Sequence, residues 1–396
     1  MNKIMVINCG SSTVKFKMFN EENNNFEVVT EGVIDRIGQS VGAFEIKYNG
    51  EELEEDKVFS THAEGIEYLL NKLIELNIIN SLEEISMVGH RVVQGGEDFK
   101  ESVLVDDAAL EKIYELKKLA PLHNVPNGDG IAIFKKMLPN AKNVAVFDTV
   151  FHQTMEPVEY IYPLPYSLYR EYQLRRYGAH GTNHKYVVNK LIEHKNTKDL
   201  KIISCHIGAG ASICAVENGK CVTTSMGLTP LGGIMMATRC GDIDPSILKY
   251  IHEQTGKDFD EIDTMLNKQS GLLGVSEISA DGREIMQAFS EGNEQAVLTV
   301  NMFVNRIVDF IASYAMKLGG LDAIIFTAGI GENDSTIRQM VVDKLALLNV
   351  KIDNEKNQVR SKELRAINTN DSNVEVYVIP ANEELQIAYE TLELCK

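Results

Sequence analysis

A chain of 396 residues is too long for one ordinary hydrophobic core and predicts two or three domains. Its composition, 44% hydrophobic and 24% charged, is that of a folded globular protein and argues against extended disorder. Acidic residues outnumber basic ones 57 to 39, a formal charge of −18, which argues against general binding to nucleic acid or an anionic membrane; a small anion remains open where bases gather in one cleft.

In chain order, KIMVIN (3–8) reads as a buried strand, CGSST as a turn, and the alternating VKFKMF as a second strand. The loop therefore joins two strands, unlike a Walker loop, whose G-x-x-x-x-G-K-[ST] pattern is absent. The start of the chain shows no signal-peptide architecture, and no apolar stretch approaches the roughly 20 residues of a membrane span. EENNN (21–25) reads as a hairpin tip, and HAEGIEYLLNKLIELN (62–77) and residues 106–119 as amphipathic helices. VAVF before Asp148 reads as a strand. IISCHIGAGASICAV (202–216) repeats the strand, small-residue turn and strand of the N-terminus, and ENGK then closes a hairpin. Recurrence at about half the chain length predicts duplicated domains facing each other across a cleft. Residues 295–318 read as a further helix. DAIIF then reads as a strand and TAGIGEN as a turn, with Asp334 or Ser335 capping the next helix. Asn382 is placed to cap a C-terminal helix with Glu383 and Glu384 in its first turn. Strands and helices alternate throughout, which makes the class α/β. The six cysteines (Cys9, Cys205, Cys214, Cys221, Cys240, Cys395) form no C-x-x-C pair and read as reduced thiols of a cytoplasmic protein.

Several polar residues stand where chemistry is expected. Arg91 and Arg239 lie among apolar runs and glycines, and a guanidinium buried there requires an anionic partner. Asp148 ends a strand, a frequent position for functional carboxylates in α/β proteins; the competing reading is a turn-forming Asp. RRYGAHGTNH (175–184) collects Arg175, Arg176, His180 and His184, groups suited to negative charge. His180 and His184 are four apart, but the flanking Gly-Ala and Gly-Thr predict a loop, and the absence of H-E-x-x-H argues against zinc. Glycine loops that open helices suit phosphate.

INCGSSTVKF, GHRVVQGGE, APLHN, VFDTVFHQTM, RRYGAHGTNHKYV, HIGAGAS, GLTPLGGIMMATRCGDIDP, FTAGIGEN and ANEEL together resemble acetate kinase and the short-chain acyl kinases of the sugar kinase, heat-shock chaperone and actin superfamily, nearly end to end. The resemblance implies duplicated ribonuclease H-like (actin-like ATPase) domains flanking a nucleotide cleft. The expected division is 1–149, with a helix at about 384–396 returning to it, and 150–383. It further implies reversible phosphoryl transfer between ATP and a short carboxylate, giving acyl phosphate and ADP with Mg²⁺ (or Mn²⁺), in a protein that is commonly a homodimer. Carried over position by position, Asn8 and Glu383 match metal-binding residues and Lys15 the nucleotide-phosphate lysine. His206, Ile207, Gly208, Ala209 and Gly210, then Asp281, Gly282 and Arg283, then Gly329, Ile330, Gly331, Glu332 and Asn333 match nucleotide-binding segments. Arg91 matches the substrate-binding arginine and Asp148 the essential aspartate. His180 and Arg239 match the pair that stabilises the transition state, and Val93, Leu122, Ala179 and Pro230 fall at acyl-pocket positions.

This sequence departs from the family pattern at Ala209 (usually Asn), Gln94 (usually His), Gly232 (usually Glu) and Ala179 (usually Phe). Loss of the ring at 179 leaves room for a longer acyl chain unless a neighbouring side chain refills the space. The competing functions are a sugar or polyol kinase, and a nucleotide-gated binding or filament protein. The apolar Val93, Leu122 and Pro230 disfavour the first, and the grouping of Arg91, His180 and Arg239 disfavours the second.

Overall fold

The computed structural model describes residues 2–396, apart from the side chain of Leu122. It resolves into two compact units, one running to Val150 and including Asn382–Lys396, the other Phe151–Ala381.

The first unit holds eight strands: β1 (Asn2–Cys9), β2 (Val14–Glu22), β3 (Asn25–Asp35), β4 (Ala43–Tyr48), β5 (Glu51–Asp56), β6 (Ile85–Val92), β7 (Val103–Leu104) and β8 (Lys142–Phe147). They form one sheet in the order β5-β4-β3-β2-β1-β6-β8-β7, in which β1, β6 and β8 run parallel. The alternation of side chains along β1 sets the layers. Ile4 and Val6 face the C-terminal helix Glu383–Cys395, joining Met87, Val146, Ile387 and Leu392. Met5 and Ile7 face the opposite way and join Ile66, Leu69, Leu70 and Leu73 of helix His62–Glu75. That helix is started by the Thr61 hydroxyl, which accepts from the Glu64 N–H. The Asn-rich tip turns through Asn23 and Asn24, both at positive φ.

The second unit holds β9 (Lys201–Ile207), β10 (Ala211–Glu217), β11 (Lys220–Thr224), β12 (Ala323–Thr327), β13 (Arg365–Ala366) and β14 (Glu375–Val378), in the order β11-β10-β9-β12-β14-β13. Two antiparallel hairpins followed by two parallel neighbours give β3-β2-β1-β6-β8 in one unit and β11-β10-β9-β12-β14 in the other, the same path twice. Alternation again separates functions. Ile203, Cys205 and Ile207 of β9 enter the apolar core with Phe303, Val304, Ile307 and Ile311 of helix Glu294–Lys317. Ser204 and His206 face helix Gly181–Lys195.

Three expectations need correction. TAGIGEN is a short helix, Ala328–Asn333, and not a turn; Asp334 caps the helix after it by accepting from the Ile337 N–H. His184 lies in the first turn of helix Gly181–Lys195, and only His180 remains outside as its N-terminal flank. Helix Glu294–Lys317 is long and apolar enough to pass as a membrane span, but Val300, Phe303, Val304 and Ile307 place its apolar face in the second core.

The C-terminal helix rides directly on the backbone of β6. A Cβ at Gly89 would overlap the Thr391 hydroxyl and come within 2.7 Å of Ile387. Gly89→Val is therefore expected to lift that helix and destabilise the first unit by about 1–3 kcal/mol, measured as a lower urea midpoint. An unchanged midpoint would show that the helix does not depend on this close approach.

Candidate active site

Four polar residues meet at the C-terminal ends of the first unit's parallel strands. Asn8 is near the end of β1, Arg91 near the end of β6, Asp148 just beyond β8, and Glu383 opens the C-terminal helix. The Asp148 N–H donates to the Val92 carbonyl at 3.0 Å, which extends the β6–β8 pairing by one residue and turns the carboxylate toward Arg91. Asp148 is fully buried and accepts a short, charge-assisted hydrogen bond from Arg91 Nη2. Arg91 Nη1 donates to Asn8 Oδ1 at 3.4 Å, and Nε lies 3.8 Å from Glu383 Oε2 without a hydrogen-bond partner of its own.

Burial pushes the Glu383 carboxyl up to about 7; Arg91 and Lys15 pull the other way, and Asp148 and Glu384 add to the rise. Burial also opposes the charge on Arg91, but Asp148 and Glu383 outweigh it and hold the guanidinium ionised. Asn8, Asp148 and Glu383 offer oxygen donors, the type that Mg²⁺ takes, and two of the three are carboxylates gathered at one guanidinium. These residues fit a magnesium ion. Lys15 pairs in register with Asn8 across β1 and β2, and its side chain is exposed.

Sequence reasoning missed the support behind Val93. Asn127 accepts from the Val93 N–H and donates to the Cys9 carbonyl; Asn124 accepts from the Gln94 N–H and donates to the Gln94 carbonyl. Both asparagines lie on helix Pro121–Met137, as does Leu122, whose side chain is outside the described residues.

In the second unit His180 adopts a left-handed conformation (φ 58°), costly for a residue with a Cβ. Its Nδ1 bonds Ser212 Oγ at 2.9 Å, and its ring stacks on His206 with centroids 4.1 Å apart. Ser212 Oγ also meets His184 Nε2 at 2.8 Å, while His184 Nδ1 bonds Ser204 Oγ at 2.9 Å. Burial, with His152 and His206 nearby, holds His184 well below the ordinary histidine range, hence neutral. The chain His180–Ser212–His184–Ser204 is invisible in sequence because its members come from three separate elements.

With Nδ1 engaged, His180 Nε2 points toward Gly210. A Cβ at Gly210 would lie 3.3 Å from that nitrogen and 3.6 Å from Arg239 Nη1, so both donors converge on one point beside a residue without a side chain. Arg239 Nη1 also donates to the Pro230 carbonyl at 3.2 Å. Burial draws its pKa down, and among the described residues no carboxylate pairs with it. Arg175 and Arg176 each have contacts of their own within the unit. Arg175 stacks on Tyr160 at 3.5 Å, and Arg176 Nη1 donates to the carbonyls of Thr224, Ser225 and Met226.

The three glycine-bearing segments of this unit adjoin one another. The Cβ position of Gly208 lies 3.6 Å from Ala328 and 3.8 Å from the Gly329 N, and that of Gly282 lies 3.3 Å from Ile330. A Cβ at Gly329 would meet nothing within 4 Å, so this exposed position is open to a ligand. Ile207 is buried under this loop and Ala209 is exposed on it. Asp281 caps its helix at the Arg283 N–H and pairs with the exposed Arg283 side chain. Asn333 Nδ2 donates to the Gly329 carbonyl, and Glu332 accepts from the Ala381 N–H. Arg338, buried and missed in the sequence, donates to the Gly331 and Glu332 carbonyls and fixes the short helix from below. Ala179 is buried against the core of this unit, where its carbonyl meets His152 Nε2 at 3.0 Å.

The profile of the Acetokinase family matches residues 3–389. The chain is 49% identical to acetate kinase of Limosilactobacillus fermentum over 399 residues, covering 100% of both. It is 48% identical to acetate kinase of Bacillus subtilis over 398 residues, again covering 100% of both. Among solved structures it resembles acetate kinase of Porphyromonas gingivalis (39% identity, TM-score 0.95) and a propionate kinase from Francisella tularensis (41% identity, TM-score 0.93), with 100% of each chain covered.

Glu383 links stability to pH. Between its ordinary value of 4.5 and about 7 the folded chain holds a proton there that the unfolded chain has released, so stability is lost as pH rises through this window. In chelator, Glu383→Gln is expected to remove a loss of about 2–3 kcal/mol that the parent protein shows between pH 4.5 and 7. Urea unfolding at several pH values measures the difference; parallel curves would mean Glu383 is not perturbed.

Proposed function

The chain belongs to the acetokinase family and is a phosphotransferase with a carboxyl group as acceptor, and from that premise we propose that it passes the γ-phosphoryl group of ATP in line and reversibly to acetate or a slightly larger short-chain carboxylate. The observation that carries this reading is the convergence of His180 Nε2 and Arg239 Nη1 beside Gly210. Attack by a carboxylate on a phosphate brings anion to anion, so positioned donors and positive charge are the main requirement. The acceptor is already ionised near neutral pH: the new P–O bond forms as the bond to the β-phosphate oxygen breaks, and no proton need move.

In this reading Arg239 and His180 donate to the equatorial oxygens of the phosphoryl group in transit. The Ser212–His184 chain supports that role by fixing the His180 ring from its Nδ1 side. Arg91 binds the carboxylate substrate, which the unpartnered Nε favours. Asp148, buried against Nη2, orients Arg91 and does not act as a base. Asn8 and Glu383 would hold Mg²⁺, which when bound supplies charge neutralisation for the nucleotide phosphates. The adjoining segments at Gly208, Gly282 and Gly329–Asn333, with Lys15, bind ATP; Gly329, in the first turn of its short helix and clear of side chains, offers a backbone N–H to phosphate.

Ala179, where the family pattern carries Phe, supports an acyl pocket larger than one shaped for acetate. Each additional buried methylene is worth about 0.8 kcal/mol, roughly fourfold in preference. Trapping the acyl phosphate as a hydroxamate across acetate, propionate, butyrate and valerate is expected to give a kcat/KM for propionate or butyrate at least equal to that for acetate. Ala179→Phe should return the preference to acetate, and a steep fall beyond acetate in the parent protein would reject the enlarged pocket. Asp148→Asn is expected to cost roughly 100-fold or more in kcat/KM, from loss of the buried pair; near-normal turnover would remove its orienting role.

A further inference from the structure

Three soft donors that phosphoryl transfer does not use are buried together in the second unit. His152 lies in the turn Val150–Thr154, Cys214 on β10 and Cys221 on β11, and all three are buried. A register shift between Ala215 and Val216 in the β10–β11 hairpin turns both thiols to one face. Their sulfurs are 3.4 Å apart, and His152 Nδ1 is 3.2 Å from Cys221 Sγ and 4.0 Å from Cys214 Sγ. The imidazole is already oriented for ligation. Its Nε2 meets the Ala179 carbonyl, which can only accept, so the proton sits on Nε2 and the Nδ1 lone pair faces the sulfurs. The Thr154 hydroxyl donates to the Cys221 carbonyl at 2.7 Å and ties the histidine turn to β11.

We propose that His152, Cys214 and Cys221 form a three-coordinate site for a soft d¹⁰ cation, Cu⁺ before Zn²⁺, lying one residue behind His180. A point equidistant from the three donor atoms is about 2.1 Å from each, within the ~2.0–2.3 Å range of metal–nitrogen and metal–thiolate bonds. Two thiolates and an imidazole select soft ions. Structural zinc takes four ligands, and among the described residues no fourth His, Cys, Asp or Glu joins the group. Thiol protons leave for solvent as the cation binds, and no redox change is required. Burial opposes the Cys221 thiolate, and the hydrogen bond from Cys214, with Arg176 nearby, outweighs it. The site opens to solvent only through folding or local unfolding, so loading is a folding-coupled event.

Its connection to turnover runs through the Ala179 carbonyl. A Cβ on Gly178 (φ 77°) would come within 2.6 Å of the His152 ring, so the ring packs tightly under the segment that enters the left-handed His180. An ion seated there locks the His152 ring and, through its Nε2 on the Ala179 carbonyl, stiffens that segment, which lowers kcat with little change in KM. This coupling rests on the carboxylate-kinase reading, whereas binding of the ion does not.

The test uses the full chain, refolded under reducing, anaerobic conditions with buffered Cu⁺ or with Zn²⁺. The expected result is one Cu⁺ per chain by native mass spectrometry, a thiolate-to-copper charge-transfer band and a raised Tm. Cys221→Ser and Cys214→Ala should each weaken binding by roughly 100-fold, while Cys395→Ser leaves it intact. His152→Gln supplies a third variant should a cysteine variant fail to fold. No bound ion, or equal binding by folded variants, would overturn the site; one Zn²⁺ per chain with no Cu⁺ would overturn the three-coordinate assignment. Binding with unchanged kcat would overturn only the coupling, and an absence of acyl phosphate in copper- and zinc-free protein assayed with Mg²⁺ would fault the kinase reading instead.

Discussion

A guanidinium and a carboxylate buried against each other at the ends of two parallel strands form the constraint on which the first unit depends. Arg91 and Asp148 can meet because β6 and β8 are in parallel register, with Val92 opposite Phe147 and the Asp148 N–H on the Val92 carbonyl. Taking two such charges out of water is expensive unless they are paired and further hydrogen-bonded, and Asn8 supplies one of the additional contacts. The last helix then adds Glu383, so the chain must return to the first sheet before the cluster is complete. A structural ion pair would be better neutralised than this one. Carboxylates are in excess at Arg91, and the Glu383 carboxyl rises to about 7 because burial is not fully offset.

The second unit carries the opposite imbalance. Arg239 has carbonyl and thioether neighbours but no carboxylate among the described residues, and burial lowers its pKa. His180 occupies a conformation that a residue with a Cβ avoids, held there by the helix it precedes, by Ser212 and by the His206 ring. Strain that the surroundings enforce, next to a cation without a counter-ion, characterises a site awaiting an anion better than it does a core. A reaction that brings together a metal, a polyphosphate and a carboxylate calls for groups of both kinds.

Much of the frame was legible because periodicity reports burial. The runs at β1, β9 and β12, the hairpins at Asn23–Asn24 and Asn218–Gly219, and helix His62–Glu75 all follow from it. Helix Pro121–Met137 was not legible, since Pro126, Gly128 and Gly130 read as breakers. The glycines are there for contact: a Cβ at Gly128 would press to 2.7 Å on Tyr114, and one at Gly130 would overlap Cys9. Arg176 shows a different limit. A cation in a sequence looks available, but three backbone carbonyls take up its Nη1 inside the fold. The family motifs nominated Asn8, Arg91, Asp148, His180 and Arg239; they did not point to Ser212, Asn124 or Asn127, whose contacts span some thirty residues.

The repeated strand path explains why the two units carry different chemistry at equivalent places. Asn8 and His206 occupy corresponding positions near the ends of β1 and β9, each just before a glycine loop. At the next strand end the first unit sets Arg91, while the second sets Thr327 followed by Ala328 and Gly329. One copy thus gathers formal charge, and the other clears side chains away and offers backbone N–H groups. That difference suits the ligands proposed for each. A metal ion and a small carboxylate need strong, localised charges to be held against water. A nucleotide that must leave after every turnover is better held by many neutral donors, since a set of buried ion pairs to its phosphates would slow release. Duplication supplied one scaffold twice, and loss of side chains in one copy was as consequential as gain of charge in the other.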